Sequence, residues 1–208
     1  ELGYTQNIIY KRSKAVRVLL DSGEDKLYMT LVDLQELVPE TLSKFENLST
    51  NQEKNITATL NIDGDVPNIR ADRDKLGQVL SNLIDNAFNY TRENGSITIE
   101  IQRLIDKPEV QITIADTGVG IPDEFKEAAW RRFERHDPTA VDLDVAGTGL
   151  GLSLARDLIL LHNGEIWFES EVNVGTTFFI RLPIEQPSFR TTTAEFPVVD
   201  ETESIAGD

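Results

Sequence analysis

Residues 72–90 repeat with the period of a helix and carry two stripes side by side. Leu76, Val79, Leu80, Leu83, Ile84 and Ala87 share one face, and Asn82, Asn86 and Asn89 run along its edge. So long an apolar stripe has to be covered by a second layer, and other segments supply one. Ile56-Ala58-Leu60-Ile62, Ile97-Ile99-Ile101, Val110-Ile112-Ile114, Ile166-Phe168 and Phe178-Ile180-Leu182 each alternate apolar with polar residues, as half-buried strands do. Further helices are predicted over 33–48, with Leu34, Leu37, Val38, Leu42 and Phe45 inward, over 150–162, and in a short stretch at 123–131. The pattern predicts an α+β fold: a two-layer α/β sandwich with helices on one face of a mixed five-stranded sheet.

The flanks differ. Ile8, Ile9, Ala15, Val16, Leu19 and Leu20 form a stripe within 1–21. It reads either as the end of a coiled-coil or bundle helix that has lost its partners or as a helix packed on its own domain. Ser22–Lys26 breaks that pattern. Residues 132–147 hold Pro138, Asp137, Asp142 and Asp144 and little periodicity, which predicts a functional lid or a disordered loop. Residues 186–208 are acidic and aperiodic, as expected of a disordered tail or linker.

Charge narrows the function classes. The net charge of −16 argues against a nucleic-acid partner, whose phosphates need clustered Lys and Arg to neutralise them. It also repels polyphosphates at long range, so a nucleotide site here has to work through local dipoles and a divalent cation. The absence of cysteine excludes disulfides and thiolate metal sites. No apolar run approaches the roughly 20 residues of a membrane helix, and no signal peptide is evident. A cytoplasmic location is expected, in one piece of a longer protein.

Three short segments concentrate the chemistry. The asparagine edge is the first. Asparagine is a poor helix former, because its amide competes for backbone hydrogen bonds. Its oxygen is, however, a hard neutral ligand of the kind Mg²⁺ takes together with phosphates and water. The second segment is Asp116-Thr117-Gly118-Val119-Gly120-Ile121-Pro122, at the end of a predicted strand. A carboxylate accepts and does not donate, so Asp116 suits the exocyclic amine of adenine and rejects the oxo group of guanine. The glycines would let the backbone approach a base closely. Taken alone, the segment reads equally as a turn into the next helix. The third, Gly147-Thr148-Gly149-Leu150-Gly151-Leu152, runs into a helix that Gly164 would stop. Its N–H groups and the helix N-terminus make an anion site. It is neither a Walker A loop, having no Gly-Lys-Ser/Thr, nor a dinucleotide fingerprint.

In this order the segments resemble the N, G1 and G2 boxes of the histidine-kinase ATP-binding domain. That superfamily is shared with type II topoisomerases, mismatch-repair ATPases and heat-shock chaperone ATPases. The resemblance covers residues 30–184 and implies a Bergerat-type fold; Ile8–Leu20 is more weakly similar to the end of the family's dimerisation helix. It implies ATP and Mg²⁺ as ligands, with Asn86 as the metal ligand and Asn82 as its phosphate-side neighbour. Asp116 would read adenine and Tyr90 would stack on it. Asn89, Gly118, Gly120, Ile121 and Thr176 join the implied ATP-binding set, with Gly147, Thr148, Gly149, Leu150, Gly151 and Leu152 on the phosphate side. Trp130, Phe133 and Arg135 lie where the family's F box would be, with Phe133 under a mobile lid at 132–147 and Arg135 within reach of a phosphate.

One position separates the branches of the superfamily. Its ATP-hydrolysing members carry a glutamate base four residues before the metal asparagine; here that residue is Asn82, which cannot accept a proton. A base for water is missing, as suits a kinase whose nucleophile arrives on another module. Neither His136, in the lid, nor His162, at a helix end where the dipole favours it, lies in the family's phosphoacceptor pattern. The implied organisation is a truncated dimerisation and phosphoacceptor helix at 1–21, a catalytic domain at 22–185 and the tail. The implied partners are a dimerisation and phosphoacceptor module in cis or trans, a response-regulator receiver domain, and a second copy in a full-length homodimer; nucleic acid is not among them. Asn89 stands where the family usually has Lys, and the lid is acidic. Both would weaken nucleotide affinity, and they motivate an alternative: a degenerate nucleotide-binding or scaffold domain without transfer.

Overall fold

Isoleucine at every second position of 97–101 and 112–114 builds the middle of the sheet, because alternate side chains of a strand share one face. The computed structural model describes residues 27–48, 52–132 and 150–186. In chain order these form β1 (Thr30–Val32), α1 (Leu34–Glu46), β2 (Thr57–Ile62), β3 (Ile69–Ala71), α2 (Arg73–Tyr90), β4 (Ser96–Arg103), β5 (Glu109–Asp116), α3 (Gly151–Leu161), β6 (Glu165–Glu171) and β7 (Gly175–Pro183). The main sheet runs β2-β4-β5-β7-β6, with β2 parallel to β4 and every other pair antiparallel. All the alternating segments are strands of this mixed sheet.

One core joins the layers. Leu34 and Val38 of α1, Leu76, Leu80, Leu83 and Ile84 of α2, and Leu158 and Ile159 of α3 pack against Ile97, Ile99, Ile112, Ile114, Phe178 and Ile180. A buried Leu or Ile contributes about 1.5–3 kcal/mol, against about 1 kcal/mol for an ordinary hydrogen bond. Core layering therefore sets the register of α2, and its polar edge follows. Two of the three helices start on aspartates. Asp33 caps α1 by accepting from Gln35 N, and Asp72 caps α2 by accepting from Asp74 N and Lys75 N.

The elements differ from the sequence expectations in three places. The stretch 123–131 is two 3₁₀ turns, Asp123–Phe125 and Ala128–Trp130. Only Ala129 is buried in them, so no apolar face stabilises a longer helix. A second, two-stranded sheet of antiparallel β1 and β3 was not anticipated. At the end of α3, Asn163 rather than Gly164 takes the left-handed conformation, at φ 56°. Gly164 serves there by lacking a Cβ, which would sit 2.6 Å from the Arg181 carbonyl oxygen.

Helices α2 and α3 pack antiparallel, tied at both ends of α3. Asn82 Nδ2 donates to the Gly151 carbonyl at 3.2 Å near the start of α3. At its end, His162 Nε2 accepts the Asp72 N–H at 3.0 Å, while Nδ1 faces the Leu158 carbonyl at 2.8 Å. These contacts require a neutral ring with its proton on Nδ1. His162 is fully buried, and burial pulls its pKa below the ordinary value, opposed by the Leu158 bond and the Asp72 carboxylate. The helix dipole is thus not what places it, because the ring is uncharged.

The native state then binds fewer protons than the unfolded chain, whose histidine titrates near about 6.5. This contribution is complete above that pH and is lost as pH falls toward the lowered folded-state pKa. Thermal unfolding from about pH 7.5 to about pH 5 should therefore show a steeper loss of midpoint in the parent than in His162→Gln. Parallel pH profiles would contradict the neutral-ring latch.

Candidate functional site

The half-buried edge of α2 carries Asn82, Asn86, Asn89 and Tyr90. Asn82 is held by the Gly151 bond, and Gly151 lies close enough that an added Cβ would touch the Asn82 amide at 3.7 Å. Asn89 hydrogen-bonds Asp85, a half-buried carboxylate that sequence reasoning passed over; burial raises its pKa and that bond opposes the rise. The Asn86 side chain engages no hydrogen-bond partner among the described residues.

At the other end of this edge, the 116–122 loop docks on the last turn of α2. Val119 N donates to the Tyr90 carbonyl at 3.1 Å. A Cβ on Gly118 would run into that carbonyl oxygen and sit 2.7 Å from Asp116 Oδ1. Gly120 has φ 73° with the Glu171 carbonyl against it, so both glycines are steric necessities. Asp116 Oδ1 accepts from Gly118 N at 2.8 Å and from Thr176 N at 3.3 Å. No donor among the described residues engages Oδ2. Burial pushes the Asp116 carboxyl up to about 6, against the pull of those two N–H groups. At neutral pH it is therefore mostly ionised, an acceptor only.

Thr176 pairs with Asp116 across β5 and β7. Its Oγ1 lies 2.9 Å from Ser170 Oγ, which accepts the Ile121 N–H at 2.7 Å and donates to the Gly175 carbonyl at 3.0 Å. Ser170 had no sequence signal, since it sits in an ordinary strand alternation. Leu150 and Leu152 are half-buried at the start of α3. Trp130 packs on Phe168 and Phe178 at 5.4 and 6.5 Å, with the Arg156 guanidinium 5.7 Å from its ring centre. Phe133, Arg135, Gly147, Thr148 and Gly149, with His136 and all of the proposed lid but its first residue, Arg132, lie outside the described residues, as do the 1–21 stripe and all but the first residue of the proposed tail. That residue, Gln186, donates to the Arg70 carbonyl at 2.9 Å.

Residues 71–186 match the family described as histidine kinase-, DNA gyrase B- and HSP90-like ATPase, and the chain belongs to that family. The adaptive-response sensory kinase SasA of Crocosphaera subtropica is 39% identical over 159 residues, which are 76% of this chain and 40% of that protein. The chain thus spans about two fifths of the length of that relative. The nucleotide-free catalytic domain of histidine kinase ThkA superposes with a TM-score of 0.65 at 32% identity, over 77% of this chain and 98% of that one. ThkA in complex with response regulator TrrA gives 0.62 at 29% identity, over 86% and 49%. The fold is that of a histidine-kinase catalytic domain. No helix among the described residues is long and apolar enough to cross a membrane.

The packing around Gly118 yields a direct test. Gly118→Ala should cost on the order of 1–3 kcal/mol of stability, because the neighbours of its Cβ are a backbone carbonyl and a half-buried carboxylate held by two N–H groups. Gly64→Ala, with nothing within 4 Å, is the control. Urea unfolding of both variants measures the difference, and equal midpoints would refute the close approach.

Proposed function

We propose that this chain is the ATP-binding catalytic domain of a sensor histidine kinase. It binds Mg²⁺-ATP and presents the γ-phosphate to a histidine on a separate dimerisation and phosphoacceptor module. One observation carries the reading: Gly151 meets α2 at Asn82, the 118–119 backbone meets it at Tyr90, and the Asn86 side chain between them is unengaged among the described residues. From residue 82 to residue 90 the helix advances roughly 12 Å. That span suits a base at the Asp116 end and a polyphosphate at the α3 end.

Each residue then has a task. Asp116 Oδ2 accepts from the adenine amine, and Tyr90 stacks on the base. Gly118, Gly120, Ile121 and Thr176 frame the base pocket, and Asn89 lies along the edge between. The N-terminus of α3 at Leu150, Gly151 and Leu152 directs N–H groups at the phosphates, and Gly147, Thr148 and Gly149 extend that loop. Asn86, an unengaged half-buried amide, fits a Mg²⁺ ligand in donor chemistry. The ion, when bound, neutralises charge on the phosphoryl group being transferred. Asn82 positions the start of α3 and cannot deprotonate water, so hydrolysis does not compete with transfer. Phe133 and Arg135 belong to a lid over 132–147.

We place dimerisation-helix sequence at 1–21, the catalytic domain at 22–185 and an acidic tail at 186–208, in a cytoplasmic segment of a homodimeric protein. A response-regulator receiver domain is the downstream partner, supported by the likeness to ThkA, which was solved with its regulator TrrA.

With labelled Mg²⁺-ATP and a separately supplied acceptor module, acid-labile phosphohistidine should form on the module and not on this chain. Asn86→Ala should abolish the transfer and leave the unfolding midpoint unchanged. Label on His136 or His162, or full transfer by Asn86→Ala, would overturn the assignment. Nucleotide binding without any transfer would favour the scaffold alternative.

A further inference from the structure

The C-terminus of α2, where the asparagine edge meets the 116–122 loop, is held by a residue that belongs to neither. Terminal carbonyls of a helix have no intrahelical partner, and the last turn of α2 holds no basic side chain to complement them. Thr91 serves the Ala87 carbonyl with its N–H at 3.0 Å and its Oγ1 hydroxyl at 2.6 Å. Val119 N serves Tyr90. The carbonyls of Phe88, Asn89 and Thr91 converge on Lys54 Nζ, at 3.0, 3.1 and 3.3 Å. An ammonium has three N–H donors, and all three are used.

Lys54 is itself anchored. Its carbonyl accepts the Asn94 N–H at 2.8 Å, and Asn55 Nδ2 donates to Asn94 Oδ1 at 2.8 Å. Asn55 and Asn94 adopt left-handed φ of 52° and 60°, which asparagine tolerates. The ammonium is thus delivered to the helix end by a fixed clasp between the segment before β2 and the turn before β4.

We propose that Lys54 is a positioning residue for the nucleotide site: its ammonium sets the last turn of α2 and so fixes Asn86, Asn89 and Tyr90 relative to Asp116. The inference rests on the nucleotide reading of the site. Asn89 brings no charge of its own, and Lys54 supplies the cation at this end of the helix, directed at backbone rather than ligand. Without it, three carbonyls turn to water and the turn that carries Tyr90 frays.

Lys54→Met keeps the length of the stem and removes the charge, and Lys54→Arg restores the charge. On the full chain, Lys54→Met should bind Mg²⁺-ATP about tenfold more weakly by calorimetry, the effect of one charge-assisted hydrogen bond. The Val119 backbone amide and the Asn86 side-chain amide should shift in ¹H–¹⁵N spectra, and Lys54→Arg should recover most of the affinity and both signals. Val38→Ala, a core substitution outside the site, controls for stability alone. If it weakens ATP binding as much as Lys54→Met does, or if Lys54→Met binds like the parent, the positioning role is overturned while the nucleotide reading stands. If the parent itself binds no Mg²⁺-ATP, both fall. Should Lys54→Met fail to fold, Lys54→Gln is read by the same criteria.

Discussion

A single carboxylate oxygen joins the parts of this site. Asp116 Oδ1 takes the N–H of the next-but-one residue and the N–H of its cross-strand partner. The loop is thereby folded back onto β7 in the same gesture that closes it over α2. Taking a carboxylate out of water is costly unless it is hydrogen-bonded, and these two bonds offset part of that cost while occupying one oxygen. The residue is consequently held near the upper edge of where an aspartate stays charged at neutral pH, at about 6. Rigid, mostly ionised and half-committed, it suits recognition of a donor far better than it suits proton transfer.

Helix α2 is the strut that relates this loop to the rest. Its apolar face is locked by the core, its start by the Asp72–His162 latch, its middle by Asn82 on Gly151, and its end by Lys54 and Val119. With the helix held at start, middle and end, the edge residues between the grips need no contacts of their own. Asn86 makes none among the described residues, which is how a ligand position differs from a structural one on the same stripe. Asn82 shows the contrast: it belongs to the same edge, yet its amide is committed to backbone.

Legibility in the sequence followed the range of the interaction. Period-two runs of isoleucine and the stripe of α2 depend on local geometry alone, and each appears in the structure where the pattern placed it. Strands β1 and β3, three residues apiece, are too short to carry a period. Around Ala129 the pattern hinted at a helix that the core does not stabilise. Lys54 and His162 were opaque for another reason: both act on backbone groups 34 or more residues away, and a backbone acceptor leaves no mark in the side-chain sequence. The motifs at 116–122 and 147–152 were readable because glycine is needed where backbone approaches backbone, as at Gly118 and Gly120. How Asp116 divides its two oxygens was not.

What Asp116 recognises decides whether this is a nucleotide site. The most direct measurement is calorimetric titration of parent and Asp116→Asn with Mg²⁺-ATP and Mg²⁺-GTP. The parent should prefer ATP, and Asp116→Asn should lose about tenfold or more of its ATP affinity, for about 1.5–3 kcal/mol of charge-assisted hydrogen bond, with little change for GTP. An ATP-to-GTP preference that survives the substitution unchanged would contradict adenine recognition by Asp116.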